Sequence, residues 1–146
     1  MKVREIMSIN SVRILNTATM AQAADLAAVS NASGLFVVDQ ENTFIGVLSE
    51  GDMMGKVLPE MSEVFAEGGG LRGSYDIFSE KGAKLGGESI DRHLIGDPIT
   101  LDPDDELLKA AATMAMKKMR RLPVVKNGKL VGTISRGDIC KAVLKS

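Results

Sequence analysis

Near its C-terminus the chain reads VGTISRGDI, Val131 to Ile139, and an earlier stretch, Ile45 to Met53, reads IGVLSEGDM. Each is an apolar β-run ending on Ser, with Asp three places later, Gly just before the Asp and an apolar helix pattern after it. A strand that turns straight into a helix leaves backbone N–H groups without partners at the helix start. Ser49 with Asp52, and Ser135 with Asp138, therefore stand where a side chain either caps a helix or meets a polar ligand. The motif alone leaves both readings open. What surrounds it also repeats.

Immediately upstream, LFVVD (Leu35 to Asp39) and LPVVK (Leu122 to Lys126) are β-runs, and turn residues join each to its motif. Those residues are Gln40 to Asn42 in one copy and Asn127-Gly128 in the other, the latter a strong hairpin signal. Before them lie two helix patterns. Met20, Ala23, Ala24, Ala27 and Ala28 follow the capable N-caps Asn16 and Thr17. Leu107, Leu108, Ala111, Met114 and Ala115 follow DPDDE, where Asp102 precedes Pro103 and acid fills the expected first turn. Short β-branched runs, Val12 to Leu15 and Ile99 to Leu101, come first in each copy, and apolar helices, Met53 to Leu58 and Ile139 to Leu144, come last. Leu35 to Leu122 is a step of 87 residues and Ser49 to Ser135 a step of 86, so the one-residue deletion falls in the hairpin turn.

The order strand, helix, strand, strand, helix therefore occurs twice, with repeats at 1–58 and 90–146 and a linker insertion at 59–89. A unit of about 50 residues does not bury both faces of its own small sheet. The expected fold is α+β: two βαββα repeats packed sheet to sheet in pseudo-two-fold symmetry, with a cleft between them. In the insertion, Leu58, Met61, Val64 and Phe65 have helical spacing, but Gly68 to Gly70 and then Gly82, Gly86 and Gly87 break the chain. It reads as a partly helical, flexible linker in which Tyr75, Ile77 and Phe78 dock onto the core or onto a second subunit. The glycine run lacks the preceding strand and following Lys-Ser or Lys-Thr of a phosphate loop.

Composition narrows the function classes. Hydrophobic residues make up 45% of 146, yet there is no Trp, one Tyr and four Phe, so the core is aliphatic with nine Met. A net charge of −1 sets up no global field for nucleic acid, and no apolar run approaches the roughly twenty residues of a membrane helix. MKVREIM lacks the apolar core of a secretory signal. The expectation is a cytoplasmic protein without nucleic-acid or membrane partners. Cys140, the single cysteine, reads as a small buried hydrophobe, and His93, the single histidine, as a structural or surface residue rather than a ligand. Met114, Met116 and Met119 read as core packing rather than a soft-metal site. No nucleophile–base set, paired carboxylates or metal cluster is visible, so the expectation is no enzyme, no cofactor and no metal.

The ordered set of VREIM (Val3 to Met7) with IDRHL (Ile90 to Leu94), the LFVVD and LPVVK strands and the two Gly-x-x-Ser-x-Gly-Asp motifs resembles the cystathionine-β-synthase (CBS) domain, as a tandem pair or Bateman module of the stand-alone prokaryotic type. The resemblance implies a cleft for adenosine-type ligands: AMP, ADP, ATP or S-adenosylmethionine. It implies that Asp52 and Asp138 accept hydrogen bonds from ribose hydroxyls, a role that suits an acceptor-only carboxylate. Ser49 and Ser135 are then placed for phosphate or ribose, while backbone beside Thr17 or Thr100 and the starts of the LFVV and LPVV strands, with Pro123, frame the adenine. The copies diverge: Arg120, Arg121 and Arg136 in the second face Ser33, Gly34 and Glu50 in the first. Guanidinium binds phosphate in bidentate fashion, so the Asp138 pocket is expected to be the better anion site. Arg120 and Arg121 alternatively serve the Asp52 pocket, or are solvated cations at a helix end. Phe36 stands where the second copy has Pro123. Three functions compete: a ligand sensor acting in trans on a regulated partner, a structural dimerisation module with vestigial pockets, and an enzyme. A homodimer is expected, through the helices led by Met53 and Ile139.

Overall fold

The computed structural model describes residues 1–30, 34–66, 68 and 70–146. The first repeat holds β1 (Arg13–Leu15), α1 (Met20–Ser30), β2 (Gly34–Val38), β3 (Phe44–Ser49) and α2 (Glu50–Gly55). Then come α3 (Met61–Ala66) and α4 (Leu71–Gly86), and in the second repeat α5 (Leu107–Lys117), β4 (Arg121–Lys126), β5 (Lys129–Ser135) and α6 (Arg136–Leu144). Short 3-10 turns, Val3–Glu5 and Ile90–His93, lead into each repeat. β2 pairs antiparallel with β3 and parallel with β1, and β4 pairs antiparallel with β5.

Several local expectations are corrected. Asn16 and Thr17 do not cap α1; Thr19 does, its hydroxyl accepting from Gln22 N while Gln22 Oε1 accepts from Thr19 N. DPDD is a turn ahead of α5 rather than its first turn, because Asp102 Oδ1 accepts from Asp104 N and Asp105 Oδ2 from Asp102 N. Ile99–Leu101 forms one bridge, Leu101 to Val124, instead of a strand. Leu101 N donates to Pro123 O and Val125 N to Leu101 O, and the preceding rung needs an N–H that Pro123 lacks. The helix expected over Met53 to Leu58 is α2, which starts and ends earlier.

The insertion is more ordered than a flexible linker. α3 ends at Ala66, and Gly68 and Gly70 take φ of 81° and 93°, a region glycine enters freely. Beyond it α4 runs for 16 residues straight through Gly73 and Gly82. Its Ile77 is buried, its Gly86 lies against Ala21 of α1, and its Lys81 pairs with Glu63 of α3 at 2.5 Å. Tyr75 and Phe78 do not follow Ile77 inward; their rings sit side by side at the surface. Cys140 also lies exposed on α6 rather than buried.

Each repeat has its own core, and each core borrows from the other repeat. Val3 is fully buried among Leu101, Leu107, Met114, Leu122 and Ile134, all of the second repeat. Ile90 is fully buried among Ile14, Met20, Leu35 and Leu48 of the first. The lead segments are thus exchanged. Val3 N donates to Asp105 O and Leu107 N to Met1 O, and Ile90 N to Ala18 O and Met20 N to Glu88 O repeat the pattern. Arg4 adds an ion pair to Asp104. Bridges from Ser8 to Thr133 and from Val47 to Ile95 extend each sheet with the other repeat's lead segment. Each buried aliphatic side chain of this kind contributes about 1.5–3 kcal/mol. Between the sheets Phe36, Val38 and Leu130 form a third cluster, with Phe36 edge-on to Phe44.

Candidate functional site

Both Ser-x-Gly-Asp motifs cap helices. Asp52 N donates to Ser49 Oγ at 3.0 Å, and Asp138 N to Ser135 Oγ at 3.1 Å. Only the second box is reciprocal: Ser135 N donates to Asp138 Oδ2 at 2.9 Å. That bond fixes the Asp138 carboxylate in orientation through one oxygen. The caps do not exclude a ligand role, since a carboxylate has about four lone-pair sites.

Asp138 lines a hollow of about 440 Å³ with Ile6, Lys141, Ala142 and Lys145. Asp138, Lys141, Ala142 and Lys145 are spaced three, four and seven residues apart, one face of α6 and its cap. Ile6 arrives from the exchanged lead segment. The hollow so joins a fixed acceptor, two lysines and an apolar wall. Helical spacing from Asp138 was sufficient to find the lysines; nothing local marks Ile6.

The other candidate residues divide. Arg121 pairs with Ser135 at the sheet end, and its guanidinium donates to the buried Thr133 hydroxyl at 3.1 Å. Gly34 holds the same place opposite Ser49; Ser33 lies outside the described residues. Arg120 is exposed, and its carbonyl accepts from Arg136 N. The Arg136 side chain turns away from the hollow: Nε donates to Met119 O at 2.6 Å and a terminal nitrogen reaches Met114 O at 3.5 Å. It thereby satisfies the carbonyl end of α5, where Lys118 adopts a left-handed conformation with φ 55°. Thr100 is exposed beside the Leu101 bridge, and Pro123 and Phe36 are buried in the sheets. Thr17 lines a separate hollow of about 550 Å³ with Arg13, Leu15 and Gln22 among others, which includes neither Ser49 nor Asp52.

Beside Asp52 is a hydrogen-bonded chain that sequence reading missed. Lys56 Nζ lies 2.8 Å from His93 Nδ1, and His93 Nε2 lies 2.7 Å from Glu88 Oε2. An ammonium only donates, so Nδ1 accepts and Nε2–H donates to Glu88. His93, expected to be a structural or surface residue, has partners from both sides. Met114 is buried and Met119 half-buried against the second core, while Met116 is exposed.

Two repeats with exchanged lead segments and paired Ser-Gly-Asp caps, one βαββα and the other with a single bridge in place of its first strand, define a class, and the family comparison agrees with it. A model of the CBS domain matches residues 3–59 and 90–145. The chain belongs to the CBS-domain family, as a tandem pair. MJ1225 of Methanocaldococcus jannaschii is 30% identical over 139 residues, which are 95% of this chain but 41% of that protein, so the chain spans less than half of that relative. Among solved structures, CBSX2 in complex with AMP superposes with a TM-score of 0.74 at 23% identity, over 99% of this chain and 96% of that one. The CBS domain pair of MJ0100, in complex with 5′-methylthioadenosine and S-adenosyl-L-methionine, gives 0.67 at 18% identity, over 99% and 97%. At these identities the likeness establishes the fold. No helix among the described residues is long and apolar enough to cross a membrane.

Proposed function

We propose that this CBS pair is a regulatory module that binds an adenosine-type ligand, acts in trans on a partner protein and is not itself an enzyme. The observation that carries the reading is the Asp138 hollow. It sets a carboxylate held by Ser135 N–H, suited to a vicinal diol, among Lys141 and Lys145, suited to a phosphate or carboxylate. Its volume lies in the range of small-molecule sites. Neighbours of the same fold bind AMP in one case and S-adenosyl-L-methionine with 5′-methylthioadenosine in another, which supports the ligand class. Ligand binding then shifts the balance between two packings of the repeats, and the partner reads that balance.

The exposed apolar side chains Met54, Leu58, Met61, Phe65 and Tyr75 support a homodimer through α2 and the insertion. Light scattering tests it: a mass near 15.5 kDa at micromolar concentration overturns the dimer. The exposed, unpaired Cys140 suits a reducing compartment such as the cytoplasm.

The deciding experiment is thermal unfolding against AMP, ADP, ATP and S-adenosylmethionine. A ligand at one hundred times its Kd adds about 2.7 kcal/mol to stability. If none of the four raises Tm, the structural dimerisation reading takes its place.

A further inference from the structure

The repeats differ at the counterpart of the Asp138 hollow. With steps of 87 residues before the hairpin turn and 86 after it, Ile6 corresponds to His93, Ala142 to Lys56 and Asp138 to Asp52. The fold respects this correspondence, since the Ser8–Thr133 and Val47–Ile95 bridges are the same contact in the two halves. In the second half, Ile6 and Ala142 are apolar walls of an open hollow. In the first half the same two positions touch: Lys56 donates to His93 Nδ1 at 2.8 Å, and His93 is anchored on Glu88 at 2.7 Å. His93 and Glu88 are largely shielded from solvent, with side-chain exposures of 14% and 28%. The first half is spanned where the second half is open.

We infer that Lys56, His93 and Glu88 form a bolt across the first-repeat site, so that the chain takes one phosphorylated adenosine ligand, beside Asp138, and admits a second beside Asp52 only when Lys56 leaves His93. The ligand class rests on the function proposed above; the bolt rests on the contacts alone. Drawing the bolt does two things. It clears the space between α2 and the lead segment. It also frees one ammonium next to Asp52, a cation that Gly55 and Pro59 at the positions of Lys141 and Lys145 do not supply. Occupancy of the first site is thereby tied to the seating of the exchanged segment that carries Glu88 and His93.

Calorimetric titration of the full chain with AMP tests the inference. The wild type is expected to take one AMP per chain. His93→Leu, which restores the apolar character of Ile6, is expected to take two, as is Lys56→Met, with the second molecule bound more weakly for want of the ammonium. Two AMP per chain in the wild type, or one in both variants, overturns the bolt and leaves the proposed function standing. No AMP bound by the wild type or by His93→Leu, together with no rise in Tm from ADP, ATP or S-adenosylmethionine, overturns the proposed function instead, and the ligand inference with it. Lys56 is exposed, so Lys56→Met keeps the test available should His93→Leu fail to fold. Imidazole ¹⁵N spectra give a reading without ligand: Nδ1 is unprotonated in the wild type and its signal moves in Lys56→Met. An unmoved signal overturns the bolt whatever AMP does.

Discussion

Thr43 and Lys129, the same position in the two repeats, are bridged to each other. Phe44 N donates to Gly128 O at 2.8 Å and Leu130 N to Asn42 O at 3.1 Å, two bonds that exchange under the repeat. The pseudo-two-fold axis therefore passes between these hairpin tips. Among the described residues every other cross-repeat bridge has a mate: Lys2–Glu106 with Thr19–Ser89, and Ser8–Thr133 with Val47–Ile95. Departures from this symmetry, in Arg136 and in the Lys56–His93 contact, mark where the halves have separate tasks.

The first glycine of each motif is there for the exchanged segment. A Cβ on Gly132 would stand 2.8 Å from Ser8 O and 2.9 Å from Met7 Sδ; one on Gly46 would stand 3.3 Å from Ile95 O. Gly132→Ala is expected to cost about 1–3 kcal/mol, as overpacking does, and Gly46→Ala clearly less. Urea unfolding of both variants checks the order.

Gly82 lies inside α4, and a methyl group added there would meet nothing within 4 Å. Gly82→Ala is expected to raise stability by about 0.5–1 kcal/mol, the ordinary gain of Ala over Gly in a helix. No gain in thermal unfolding would mean that α4 is not helical in solution.

Asp138→Ala is expected to weaken AMP more than Asp52→Ala does. Lost hydrogen bonds to a charged acceptor are worth about 1.5–3 kcal/mol, roughly ten- to a hundredfold in Kd. Equal losses by calorimetry would show that the two pockets are equivalent.

Arg136 and Lys141 separate by ligand charge. Arg136 holds α5 carbonyls, so Arg136→Ala is expected to lower Tm and to weaken adenosine, AMP and ATP alike. Lys141→Ala is expected to spare adenosine and to weaken ATP most, with the effect fading in high salt. If Arg136→Ala instead follows phosphate charge, its side chain swings from α5 to the ligand.

Acid is expected to loosen two turns and the ion pair between α3 and α4 together. The Thr43 N–H beside Asp39, the Asp104 N–H beside Asp102 and the Lys81 ammonium beside Glu63 each hold a carboxyl below its ordinary value of 3.8, 3.8 or 4.5. A lowered folded pKa means that the unfolded chain binds the proton first. The stabilisation is therefore complete above those ordinary values and is lost as pH falls through the lower folded ones. Asp39→Asn with Asp102→Asn is expected to start less stable at pH 6 and to lose less between pH 5 and 3, read as Tm against pH.

The repeat was legible because its signals are local: a Ser that caps, Asn127-Gly128 with φ of 52° and 78° at a hairpin, apolar positions at helical spacing. The exchange was not, because Val3 and Ile90 are equally apolar and either core would bury either one. α4 was hidden by Gly73 and Gly82, whose low helix propensity is outweighed by packing on α1 and α3. Asp138 was legible as a site residue from its motif. The turn of Arg136 toward α5 was not, since its partners are main-chain carbonyls that no side-chain pattern reports.

The exchanged lead segments also fix what half of this molecule would do alone. A chain carrying one repeat has a groove for a lead segment and a lead segment of the kind that here fills the other repeat's groove. Two such chains would lend their segments across, as Val3 and Ile90 are lent here, and would form a swapped pair. Joining two copies end to end keeps every one of those contacts and changes only which of them lie within a single chain.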